Sequence, residues 1–186
     1  VNESYIEFGV NQKGEIRFGL SAIKGIGGAA AKAIVEERKA NGPFKDIYNF
    51  VERVSMNALN RKSMECLAVS GALDCFGFDR ELYLAPCNER TTFMEVLLRY
   101  GMNVQQDKHE SENSLFNDIG GMEIPQPAPP AKYEKWSNIT KLEKERELVG
   151  IYISGHPLDP YAVIMEQLCN TTFPQLSNPA LLKGKP

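Results

Sequence analysis

The stretch Ser21 to Arg38, SAIKGIGGAAAKAIVEER, places three glycines within four residues (Gly25, Gly27, Gly28) directly ahead of a segment rich in alanine, lysine and glutamate. Glycine inside a helix costs about 1 kcal/mol relative to alanine, so a cluster at one end shapes a turn. Glycine accepts φ > 0 without steric penalty. With no side chains in the way, the main-chain N–H groups of such a turn and of the helix after it can converge on an anion, aided by the positive end of the helix dipole. The pattern predicts a phosphate seat. A dinucleotide fingerprint fits poorly, because G-x-G-x-x-G requires a glycine at Ala30 and a strand–helix–strand setting, and neither is present.

Around this turn the apolar spacing sets out a mainly α fold. Residues 5–10 (YIEFGV) and 15–20 (EIRFGL) roughly alternate and enclose Asn11 and Gly14, which predicts a small N-terminal β-hairpin. Ala30, Ala33 and Ile34 mark one face of a helix from Gly28 to Ala40, ended by Asn41-Gly42-Pro43. Phe44, Ile47, Tyr48, Val51 and Val54 form a second stripe over 44–54. Asn57 is the predicted N-cap of a third helix, which carries Met64, Leu67 and Ala68 and stops at Gly71. A longer helix from about Glu89 to Gln106 presents Phe93, Val96, Leu97, Tyr100 and Val104. Residues 107–136, charged and containing IPQPAPP, read as a flexible extended linker. A charged helix over 138–149 follows, its 141–147 run read as a solvated face. In YISGHPLDPY, His156 and Asp159 are read as turn residues rather than an acid–base pair. The expected organisation is a β-hairpin (1–20), a helical domain (21–106), a linker (107–136) and a C-terminal helical segment (137–186).

A hydrophobic content of 42% over 186 residues is enough for a packed core. No run of about 18 apolar residues is present to span a bilayer, and the start lacks the blocks of a signal peptide. The expectation is a cytoplasmic protein with no membrane partner. Cys66, Cys75, Cys87 and Cys169 fit neither a metal clip nor a dense disulfide framework, and His109 and His156 stand apart, so no metal and no cofactor is expected. Opening at Val1 and closing on LLKGKP, the chain reads as a piece of a longer protein. Its net charge is −3, yet the stretch from Ile16 to Ser63 holds nine basic residues against four acidic ones. A basic segment on an acidic chain points to nucleic acid.

Within that segment Ile26 reads as an apolar plug between the glycines, and Lys24 and Lys32 lie close enough in sequence to reach flanking phosphates. Ile23-Lys24-Gly25-Ile26-Gly27, with Ala31 and Ile34 after it, matches the helix-hairpin-helix motif at every position. LNRKSMECLAVSGALDCFG offers a second copy around Gly71, with Arg61 and Lys62 at its basic end. Two such turns joined by the 44–54 helix would meet both strands of one duplex through phosphates, which positions DNA without reading its sequence and makes binding sensitive to salt. The expected DNA-binding set is Lys24, Gly25, Ile26, Gly27, Gly28, Lys32, Arg61, Lys62 and Gly71.

Four stretches in this order, VNESYIEFGVNQKGEIRFGLSAIKGIG, GPFKDIYNFVERV, LNRKSMECLAVSGALD and EKERELVGIYISGHPLDPY, resemble the C-terminal part of bacterial DNA polymerase III alpha subunits. The resemblance covers nearly the whole chain and is weakest over 79–135. It implies the region after the catalytic core of a replicative polymerase, with the family's catalytic aspartates upstream and an oligonucleotide-binding barrel downstream. This segment would then have no chemistry of its own and would have the other domains of the same polymerase chain as partners. The family also carries a peptide for the sliding clamp, typically starting with glutamine and ending in Leu-Phe or Met-Phe. The matching stretch is Glu112-Asn113-Ser114-Leu115-Phe116, in which Leu115 and Phe116 would fill an apolar pocket and Glu112 lacks the amide donor of glutamine. The function this implies is duplex binding without sequence preference, combined with clamp tethering in support of processive synthesis. Two rivals are a protein-interaction scaffold whose turns do not meet DNA, and a DNA glycosylase using Asp46. The latter lacks the helices that such enzymes place upstream of the turn, around a flipped base.

Overall fold

Two short arms open the chain and fold back on one another. β1 (Gly9–Val10) pairs antiparallel with β2 (Ile16–Arg17) in the register Gly9↔Arg17 and Val10↔Ile16. The reversal is closed by Asn11, whose Oδ1 accepts the N–H groups of Lys13 and Glu15. The strands are shorter than the expected arms because Leu20 and Ser21 donate to the carbonyls of Tyr5 and Ile6 in a pattern that does not continue the ladder. The computed structural model describes residues 1–11, 13–113 and 124–168, without the side chains of 111–113.

A single 3-10 turn, Leu20–Ala22, enters the glycine turn, and α1 (Gly28–Asn41) leaves it. The incoming arm of the first motif is therefore one turn long rather than a full helix. α2 (Ile47–Arg53) starts where the Asp46 carboxylate accepts the Asn49 N–H at 2.7 Å. α3 (Arg61–Val69) is capped by Asn60, whose Oδ1 accepts the Ser63 N–H at 2.9 Å. The cap expected at Asn57 is thus corrected: that residue lies in a turn that Ala58 and Leu59 close on the Ser55 carbonyl, too far back to reach the first free amides of α3.

After α4 (Arg80–Leu84), α5 (Phe93–Asn113) begins at a reciprocal box in which Glu95 accepts the Thr92 N–H and Thr92 Oγ1 accepts the Glu95 N–H. It starts later than the expected Glu89 and runs beyond Gln106, so residues 107–113 are helical. α5 packs on α2, α3 and α4. Ile34, Phe50, Leu59, Met64, Leu67 and Leu97 are fully buried at the centre, each contributing about 1.5–3 kcal/mol.

Residues 124–136 form neither helix nor strand and lie along the helical unit. Tyr48 Oη donates to the Pro127 carbonyl, Tyr133 Oη donates to Asp79, and the Trp136 N–H donates to Glu81. α6 (Asn138–Val149), capped by Ser137, packs on α3, with Leu142 and Glu145 buried. In the 141–147 run Glu143, Arg146 and Glu147 are exposed as its charges suggest, whereas Glu145 is turned into the protein. α7 (Ala162–Leu168) ends the described part. Among the described residues no helix is long and apolar enough to cross a membrane.

Candidate nucleic-acid interface

The glycine turn is built by short hydrogen-bonded steps: Ile23 N–H donates to the Leu20 carbonyl and Ile26 N–H to the Ile23 carbonyl. Ile23 and Ile26 then point into the core. Gly25 sits at φ +89°, and a Cβ there would stand 2.6 Å from Cys66 Sγ on α3. Both the dihedral and the close approach of α3 demand glycine. Ser63 Oγ donates to the Gly25 carbonyl at 3.5 Å from the same helix. Burial pushes the Cys66 thiol up, with Glu65 adding to the effect, so Cys66 serves as a protonated packing group beneath the turn.

Gly27 and Gly28 face the other way. A Cβ at either would meet nothing within 4 Å. Gly27 is the N-cap of α1 and brings no side-chain acceptor, so the first-turn N–H groups of α1 are left to outside partners. The 14-residue helix behind them adds its dipole. The Lys24 N–H is already engaged by the Leu148 carbonyl at 2.9 Å, so Lys24 offers only its side chain.

Along the turn lies an open cleft of about 740 Å³ lined by Lys24, Gly25, Arg61 and Lys62. Four residues expected from two separate motifs thus share one site, because α3 packs directly beneath Gly25. Arg61 pairs with Glu95 at 2.8 Å but keeps its side chain 65% exposed. Lys32 does not line the cleft. It stands further along α1, 64% exposed and 3.7 Å from Glu36, an exposed i,i+4 pair worth a few tenths of a kcal/mol. The cleft has a cation that the sequence reading missed, Lys144 of α6, together with two acidic residues, Glu65 and Glu147. The signal for Lys144 was weak: the buried stripe of α6 is interrupted by the charged Glu145, which disguises the buried face as a solvated one.

The second glycine turn is arranged differently from the expectation. Gly71 is at φ +81°, its N–H donates to the Ala68 carbonyl, and a Cβ would lie 2.2 Å from Arg80 Nη2 and 2.9 Å from Asp74 Oδ2. Its bare Cα makes room for a buried guanidinium, and its amide is spent within the protein. Gly71 lines another cleft, beside Val1, Arg17 and Ser70.

Of the expected clamp peptide, Glu112 and Asn113 form the end of α5, while Ser114, Leu115 and Phe116 lie outside the described residues. Asp159 Oδ2 accepts the His156 N–H and His156 Nδ1 accepts the Leu158 N–H, so both side chains build a turn. Among the described residues no group of three or more His, Cys, Asp or Glu is placed to hold a metal ion.

Residues 1–83 match the family model described as a helix-hairpin-helix motif. The chain is 37% identical over 187 residues to the DNA polymerase III subunit alpha of Thermus aquaticus, which covers 100% of this chain and 14% of that protein. It is 33% identical over 174 residues to the corresponding subunit of Xylella fastidiosa (strain 9a5c), covering 90% of this chain and 14% of that protein. The subunit of Caulobacter vibrioides is 32% identical over 159 residues, covering 86% of this chain and 13% of that protein. The chain therefore spans about one seventh of the length of these relatives.

Proposed function

This chain belongs, over the part of their length that it spans, to the DNA polymerase III alpha subunits, and on that premise we propose that it holds duplex DNA for a replicative polymerase in the bacterial cytoplasm. The observation that carries the reading is the meeting of Lys24, Arg61 and Lys62 in one cleft at Gly25, on the turn that leads into the uncapped start of α1. The first-turn amides of α1 seat one phosphate and the three cations take its neighbours along the backbone. Contacts of this kind carry no base information. Chemistry is left to other parts of the polymerase chain, which are its partners together with DNA. The Glu112–Phe116 stretch tethers it to the sliding clamp.

Three cationic contacts predict a slope of about −3 in log affinity against log salt. Titration of a short duplex at several salt concentrations tests this. Lys24→Glu combined with Lys62→Glu is expected to abolish binding while leaving the melting curve in place, and Lys32→Glu alone to change affinity little. Unchanged affinity in the double variant removes the first turn from the interface. For the tether, Leu115→Ala with Phe116→Ala is expected to weaken capture by the clamp, and equal capture refutes it.

A scaffold that does not touch DNA is favoured by one observation, the presence of Glu65 and Glu147 on the cleft and of Glu95 against Arg61. Absence of duplex binding even at low salt would select that reading. Among the described residues a two-stranded hairpin and one 3-10 turn precede the glycine turn, where the glycosylase reading asks for helices around a flipped base.

A further inference from the structure

α6 starts 113 residues beyond Gly25 in sequence, yet it closes one side of the cleft. Two anchors hold its C-terminal half. The Leu148 carbonyl accepts the Lys24 N–H at the head of the glycine turn. One turn earlier Glu145, only 1% exposed, accepts the N–H groups of Ile153 at 3.2 Å and Ser154 at 3.0 Å and stands 3.5 Å from Arg80 Nη1. Arg80, its side chain 9% exposed, also donates to Ser154 Oγ at 2.8 Å and to both carboxylate oxygens of Asp74. This is the guanidinium for which Gly71 leaves room. A carboxylate buried so deeply depends on its partners, since removing one leaves an uncompensated charge. Adjacent to Glu145, Lys144 carries its ammonium over the Trp136 ring, 4.7 Å from the centroid, and lines the cleft.

We propose that Lys144 is a further DNA-contacting residue and that Glu145 and Arg80 are positioning residues for it and for the Lys24 turn. The second glycine turn then acts on DNA through Arg80 and α6 rather than through its own amides. The proposal rests on the nucleic-acid reading above.

Duplex titration over a range of salt, followed by the fluorescence of the single tryptophan beneath Lys144, tests it. Lys144→Gln is expected to weaken binding roughly fivefold and to flatten the salt slope by about one. Glu145→Gln keeps an oxygen for the Ile153 and Ser154 amides but removes the charge facing Arg80. It is expected to weaken binding at least as much, and adding Lys144→Gln to it costs nothing more, whereas Lys62→Gln keeps its full effect on either background. A Lys144→Gln variant with the wild-type slope, or additive losses in the Glu145/Lys144 pair, overturns the proposal. If Glu145→Gln does not fold, hydrogen exchange on the unsubstituted chain decides. The Lys24, Ile153 and Ser154 amides are expected to exchange together, more slowly than Gly27, and a Lys24 amide exchanging independently of the other two overturns the latch. Wild-type chain that binds no duplex at any salt refutes the nucleic-acid reading itself; wild-type chain that binds, with additive variants, refutes only the role of α6.

Discussion

Replacing Gly25 by alanine strains the protein in two separable ways. The φ of +89° lies in the left-handed region, which costs an L-residue about 1–2 kcal/mol. The new methyl would also stand 2.6 Å from Cys66 Sγ, about 1 Å inside ordinary contact, against a side chain only 6% exposed. Overpacking of that kind costs about 1–3 kcal/mol. A total near 3 kcal/mol is expected in urea unfolding followed by helical circular dichroism. In a Cys66→Ala background the sulfur is gone, and the cost of Gly25→Ala should fall to the backbone share of about 1–2 kcal/mol. Gly27→Ala is the matched control: with φ −73° and open space around it, it should change stability by less than about 0.5 kcal/mol while lowering duplex affinity, because its methyl stands over the seat. The reasoning is refuted if Gly25→Ala unfolds like the wild type, or if its cost is the same with and without the Cys66 sulfur.

The remaining expectations concern the elements that frame the cleft. Asn60→Ala should destabilise by about 1 kcal/mol and Asn57→Ala by less than about 0.5 kcal/mol, measured by the same unfolding, because only Asn60 caps α3. Gly71→Ala should be more damaging than Gly25→Ala, since its Cβ would lie 2.2 Å from the buried Arg80; loss of exchange protection at the Ser154 amide is the signature, and retained protection contradicts it. The hydrogen bond from Tyr133, then that from Lys135, holds the Asp79 carboxyl below its ordinary range. Its contribution is therefore complete above the unfolded value near pH 3.9 and is lost as pH falls through the depressed folded value. Trp136 fluorescence should report the release of residues 133–141 only under that acidic condition, and Asp79→Asn should remove this transition from the titration.

What the sequence determined by itself was everything governed by neighbours in the chain. The need for glycine at position 25, the helix after Gly28, the burial of Ile26 and the stripe over 44–54 follow from φ preference and apolar spacing, which act over a few residues. Where local signals competed, as at Asn57 and Asn60, both asparagines suited a cap, and the turn closed on Ser55 decided between them. Tertiary structure alone decided which bare glycine faces solvent. Gly27 and Gly71 were both expected to meet DNA, but Arg80, drawn inward by Asp74 and Glu145, covers the second, while a Cβ at the first would meet nothing within 4 Å. It also decided which cations share a cleft, bringing Lys144 beside Lys24 and leaving Lys32 aside. The physical reason is range: a dihedral or a cap is set within one turn of chain, whereas the field at a phosphate sums charges delivered by helices that meet only after the core has packed.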